Sequence, residues 1–294
     1  MKNIPPNFNS QNRPSRARPS IVICPPSAAL VRRTDKSQIV NEWAFTIVEL
    51  LTVIAIIAIL AAILLPTLAG ARIQAQKKQA QLQIRDLATQ VQIYDSAYSR
   101  MPVSPAAQQA AMNNGGMFTY GGFFQTPVTA ASWPVAPLPS NYYPSNNEVI
   151  AILMDVTNTT VTAVNQNHQK NPQQTAFLNA KMSGWDPSQG GTPPPGVGND
   201  LVYRDPWGNP YVITMDLNAD NTCLDPFYRL AAVSGSGSAT GANGLVNSVD
   251  PNGAGNNFAF HGNVMVWSAG PDGKVDPGSG ANLGVNKDNI LSWQ

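Results

Sequence analysis

One segment limits what this chain can become. From Phe45 to Leu65 it reads FTIVELLTVIAIIAILAAILL, 21 residues with Glu49 as the single charge. As a helix this segment is about 31 Å long, the thickness of a bilayer's hydrocarbon core. From Leu50 to Leu65 only Thr52 is polar, so there is no wet face of the kind a surface helix of a soluble domain carries. The segment is therefore read as a single membrane span. Residues 1–44 before it hold seven basic side chains (Lys2, Arg13, Arg16, Arg18, Arg32, Arg33, Lys36) and two acidic ones (Asp35, Glu42). A basic flank stays on the cytoplasmic side, which places the remainder outside. This leader is rich in Pro, Ser and Asn and lacks a helical or strand period, so it reads as disordered. The apolar run passes into PTLAGARIQAQ without a small-residue cleavage site, so the helix is expected to be retained.

Glu49 is the costly residue. A carboxylate within an apolar helix costs about 2.5–3.5 kcal/mol on insertion scales unless it finds a partner. A cut just before Phe45 would place a new α-amino group one helical turn from Glu49 of the same chain, or alongside Glu49 of a neighbour.

The run Ala44-Phe45-Thr46-Ile47-Val48-Glu49-Leu50-Leu51, with the apolar stretch and Pro66 after it, resembles the N-terminal segment of type IV pilins and type II secretion pseudopilins. The resemblance implies that a prepilin peptidase removes the leader between Ala44 and Phe45 and that the Phe45 amine is then N-methylated. It further implies that Glu49 pairs with that amine on an adjacent subunit, and that Pro66 bends or locally melts the helix. Ala44 stands where the family usually has Gly, and the leader is longer than most.

Beyond Gly70 the pattern turns amphipathic. Ile73, Ala80, Ile84, Leu87, Val91, Tyr94 and Tyr98 form a stripe that wants a partner surface, and Lys77, Lys78, Gln81, Gln83, Arg85 and Asp86 form the opposite face. Pro102 ends the helix near Tyr98. The expected fold is α+β: a long helix, transmembrane over 45–70 and amphipathic over 71–100, packed on a small antiparallel β-sheet head of the type IV pilin kind. Residues 101–199 read as a variable insertion with one short helix at 147–154, capped by Asn146 or Ser145. In residues 200–294, strands are drawn at 201–204 and 211–215 around the turn Asp205-Pro-Trp-Gly-Asn-Pro210, and at 227–233 and 263–268 around a loop at 234–257.

That turn, continued to Tyr211, resembles a feature of major pseudopilins. The tail Ser268-Ala-Gly-Pro-Asp272-Gly-Lys-Val-Asp276, followed by Asp288-Asn-Ile-Leu-Ser-Trp293, resembles their C-terminal calcium loop. Asp272, Asp276, Asp288 and Asn289 offer oxygen ligands within 18 residues on a Gly-rich loop, which suits calcium. Asp216, Asn218 and Asp220 form a second metal candidate that begins like an EF-hand, with Asn221 at the glycine position and Phe227 where the bidentate Glu belongs. Cys223 reads as a small buried apolar residue.

Catalytic chemistry is not expected. His168 lies in a polar loop and His261 in a strand as a core histidine, and no HExxH, G-x-S-x-G or phosphate-cradling loop occurs. The 18 basic and 17 acidic residues, 12% of the chain against about 25% in an average domain, argue against a nucleic-acid binder. The resemblance implies a non-catalytic filament subunit of a type II protein secretion machine in the inner membrane and periplasm, with itself, other pseudopilins, the prepilin peptidase and an inner-membrane secretion platform as partners. A type IV pilin for adhesion, motility or DNA uptake, and a monomeric membrane-anchored binding protein, are the alternatives.

Overall fold

The computed structural model describes residues 46–112, 115–121, 144–157 and 160–294. The chain divides into two units, residues 1–56 and 57–294. Helix α1 (Ile47–Tyr98) has 52 residues, and its helical backbone runs without interruption through position 66. It is the one helix among the described residues long and apolar enough to cross a membrane, and none of its apolar window is buried.

The second unit is α+β. Helices α2 (Pro105–Met112) and α3 (Asn147–Leu153) and strand β1 (Met117–Tyr120) precede the short strands β2 (Gly196–Val197) and β3 (Tyr203–Arg204). After them come β4 (Val212–Asp216), β5 (Thr222–Cys223), the single turn α4 (Ala231–Ser234), β6 (Val246–Asn247), β7 (Phe258–His261), β8 (Val264–Ser268) and β9 (Ile290–Leu291). The main sheet has the order β1-β4-β8-β9, and its three neighbouring pairs are antiparallel. A three-stranded sheet, β5-β7-β6, and the pair β2-β3 complete the strands.

Both faces of the main sheet are covered, and the period of two sorts its residues between two cores. Phe118, Tyr120, Ile213, Met215, Val264, Val266 and Ile290 point into one core, shared with Ala80, Ile84, Leu87, Val91 and Tyr94 of α1 and the apolar residues of α3. Val212, Met265, Trp267 and Leu291 point into the other, with Phe227, Tyr228, Val233 and Phe258. The stripe on α1 is thus buried from Ala80 to Tyr94 and half-buried at Tyr98, while Ile73 stays 45% exposed. Gln83, on the opposite face of the stripe, is half-buried, and its Oε1 accepts a hydrogen bond from the Tyr211 hydroxyl at 2.8 Å. Tyr94 donates to the carbonyl of Lys170 at 2.5 Å and Tyr98 to Asn171 Oδ1 at 2.7 Å, tying the end of the helix to the 165–171 loop.

Several expected strands are placed differently. The turn at 205–210 forms, with Asp205 N–H donating to the Asn209 carbonyl at 2.8 Å, but β4 takes its ladder partners from β1 and β8 rather than from β3. The segment 227–233 is not a strand. Asp225 Oδ1 accepts from the backbone N–H groups of Phe227 (2.9 Å) and Tyr228 (3.0 Å), which locks a turn that leads into α4. Asn146 precedes α3 as expected but makes no side-chain cap. Its fully buried amide instead donates to the carbonyls of Tyr203 and Tyr211 and accepts from the Tyr203 N–H, each at 2.9 Å, clamping two segments that also meet through the Arg204–Pro210 bridge and the bond from Tyr211 N–H to the Tyr203 carbonyl.

Candidate functional site

At the start of α1, Thr46 and Glu49 form a reciprocal cap. Glu49 N–H donates to Thr46 Oγ1 at 3.2 Å, while Thr46 N–H (2.9 Å) and its hydroxyl (2.7 Å) donate to Glu49 Oε2. This satisfies two backbone donors that a helix start leaves orphaned. The spacing Thr-x-x-Glu carries that signature in the sequence. Along the following turns Ile47, Val48, Leu50, Leu51, Ile54 and Ile57 are each more than half exposed. A bare apolar surface of this extent is a site of association with protein or lipid. Ala44 and Phe45 lie outside the described residues.

The turn at Asp205 is fastened to the C-terminal loop. Asp205 is fully buried, and its carboxylate accepts from the N–H groups of Trp207 (2.9 Å) and Asn209 (2.8 Å) and from the Ser268 hydroxyl (2.5 Å). Burial raises its pKa, opposed by these donors. Asn209 Nδ2 donates onward to the Gly270 carbonyl at 2.8 Å. Two glycines are required here: Gly208 (φ +93°) and Gly270 (φ +70°), where a Cβ would stand 2.1 Å from the Pro193 carbonyl and 2.3 Å from that of Asp288.

The expected calcium ligands divide. Asp288 Oδ1 and Asn289 Oδ1 are buried and accept no hydrogen bond. Burial and then the charge of Asp272 raise the pKa of Asp288, opposed by a backbone hydrogen bond and by the charges of Lys77 and Lys287. Asp272 Oδ1 accepts from the Lys274 N–H at 2.9 Å. Asp276 is turned into its own loop: its carboxylate accepts from Gly278 N–H (2.9 Å) and the Ser279 hydroxyl (2.6 Å), which lower its pKa. Asn286 grips the backbone of Asp276 from both sides. Asp288 and Asn289 thus each hold one buried oxygen without a donor, while the Asp276 carboxylate is taken up by its own loop. Among the described residues no group of three or more His, Cys, Asp or Glu is arranged as a metal site.

The 216–220 loop satisfies itself. The Asp216 carboxylate accepts from the N–H groups of Asn218 (3.0 Å), Ala219 (2.9 Å) and Asn221 (2.8 Å), and Asp220 accepts from Thr222 N–H and Asn218 Nδ2. Its oxygens serve as turn anchors. Cys223 is buried, and desolvation pushes its thiol well above the ordinary range, so it stays protonated. His261 is exposed at the end of β7, not a core residue, and His168 Nδ1 lies 2.9 Å from both Asp155 oxygens.

One buried cluster had no forerunner in the sequence reading. Asp225 is fully buried; besides its two backbone donors its Oδ2 accepts from Thr214 Oγ1 (2.7 Å) and Trp267 Nε1 (2.9 Å), and Thr119 Oγ1 lies 2.9 Å from Thr214 Oγ1. Comparison with known proteins finds no matching family model, curated protein or solved structure.

Proposed function

We propose that this chain is a non-catalytic filament subunit of the pseudopilin kind, acting in a type II protein secretion machine. In this reading the leader is cut between Ala44 and Phe45 on the cytoplasmic side of the inner membrane. The freed, methylated amine of Phe45 pairs with Glu49 of the neighbouring subunit, and the apolar half of α1 packs with its copies into a helical polymer with the head in the periplasm. The observation that carries the reading is a single helix with two halves. One half is apolar and unburied across a membrane-length window; the other lays a buried stripe against an antiparallel sheet. A soluble protein's core helix would bury the first half.

N-terminal sequencing and intact mass of the membrane-extracted protein test this. A mature chain beginning at N-methylated Phe45 is the expected result. An intact leader would instead identify a membrane-anchored protein that does not polymerise.

Calcium belongs to this reading, with Asp272, Asp288 and Asn289 as the side chains that would hold it and backbone carbonyls completing the shell. The ion would offset the mutual repulsion of Asp272 and Asp288. Millimolar calcium is expected to raise the thermal midpoint of the full-length protein in detergent above its value in EGTA, and Asp288→Ala to remove that rise. An equal midpoint in both conditions would leave the loop as a turn without metal.

A further inference from the structure

We propose that the cavity beside the C-terminal end of α1 binds a small oxyanion, a carboxylate or a phosphate, through Arg100 and Lys170. The cavity measures about 380 Å³ and lies among Asp95, Arg100, Gln108, Lys170, Asp216 and Asn263. It falls at the small end of ligand-site volumes.

Arg100 is held in place without being neutralised. Its Nη2 donates to the carbonyls of Gln169 (3.5 Å) and Lys170 (3.1 Å), and the guanidinium carbon stands 5.7 Å from the ring centroid of Tyr98. These contacts orient the planar fork, the geometry that suits bidentate recognition of carboxylate or phosphate. Lys170 is half-buried, and its backbone is pinned by Asn165 Oδ1 and the Tyr94 hydroxyl. The ion pairs among the described residues are His168 with Asp155 and Arg204 with Asp200. Neither cation of the cavity has a described carboxylate within the 4.0 Å of an ion pair.

Two carboxylates also line the cavity, and neither stands within ion-pair distance of Arg100 or Lys170. Asp216 is occupied by three backbone N–H groups. Asp95 is not among the groups that act on Lys170, whose pKa is lowered by burial and then by Arg100, with only Glu148 opposing. Two like charges kept close, one of them partly desolvated, are relieved by an anion from solution. This site is independent of the filament reading, since it depends on the second unit alone.

The test is thermal unfolding of the full-length protein in detergent at fixed ionic strength, titrated with inorganic phosphate, with a free-acid tripeptide, and with the same tripeptide amidated. A rise with phosphate alone identifies a phosphate ligand; a rise with the acid and not the amide identifies a chain terminus; a rise with both anions identifies a general oxyanion site. Lys170→Met removes an ammonium that makes no described hydrogen bond, so it should keep or raise the ligand-free midpoint while lowering affinity at least tenfold. Arg100→Lys keeps the charge but loses the fork, and should weaken binding in a fold that retains Lys170. Asp95→Asn should bind as well as the wild type or better. No rise in either anion arm, or the same rise in Lys170→Met as in the wild type, overturns the assignment.

Discussion

Asp225→Ala is expected to cost about 3–4 kcal/mol of stability at neutral pH, measured by denaturant unfolding of the detergent-solubilised protein. The carboxylate accepts four hydrogen bonds, from two backbone amides, Thr214 and the Trp267 indole, within a fully buried site. Truncation leaves those donors facing a cavity, where an unsatisfied donor costs about 1–3 kcal/mol, and water entering the space re-pairs the others. Burial also raises the pKa of Asp225 above its ordinary 3.8. The folded chain therefore keeps this proton at pH values where the unfolded chain has released it. Its contribution is present in full below the unfolded value and is lost as pH rises through the folded one. Asp205 acts in the same direction. A plot of stability against pH should thus fall less steeply above pH 4 in Asp225→Asn than in the wild type. An Asp225→Ala protein as stable as the wild type would remove Asp225 as the centre of the second core.

Glu49→Ala should leave the leader cleavable and reduce filament yield at least tenfold. The chain itself suggests a control. In the described structure Glu49 caps α1 through Thr46, a role worth about 0.5–2 kcal/mol that a glutamine can also fill. Glu49→Gln therefore keeps the cap and removes only the charge. If polymer growth depends on pairing with the Phe45 amine, both variants fail alike, because an amine opposite a neutral side chain loses its counter-ion within an apolar bundle. Normal filament yield in Glu49→Gln would assign Glu49 to capping alone. Electron microscopy and a sedimentation assay of sheared filaments supply the measurement.

What could be read in advance follows the range of the interactions. The apolar run, the heptad-like stripe from Ala80 to Tyr94 and the stop before Pro102 are local patterns, and α1 appears with those bounds. The Asp205 turn is also local chemistry. Sheet order was not legible, because β1 sits in a stretch with little periodic signal and meets β4 about a hundred residues away, where Thr119 and Thr214 are 95 positions apart. Strands β4 and β8 are buried on both faces, so they lack the alternation that marks a half-exposed strand. The run at 227–233 has strand-forming residues, yet one carboxylate outside it, Asp225, bends its start into a turn. At the candidate calcium loop, composition located Asp288 and Asn289, while the self-contained turn around Asp276 depends on Asn286, a contact ten residues away in sequence.

The order β1-β4-β8-β9 bears on how quickly the second unit can be made. Helices close through neighbours and form within microseconds, whereas a sheet whose first two strands are separated by the chain's whole middle section must close a long loop before any rung is gained. Non-local pairing of this kind places folding in the millisecond-to-second range. Until those pairs close, the apolar residues of β4 and β8 lack the cover they have in the folded chain, and the stripe on α1 is a partner surface that local contacts alone can form.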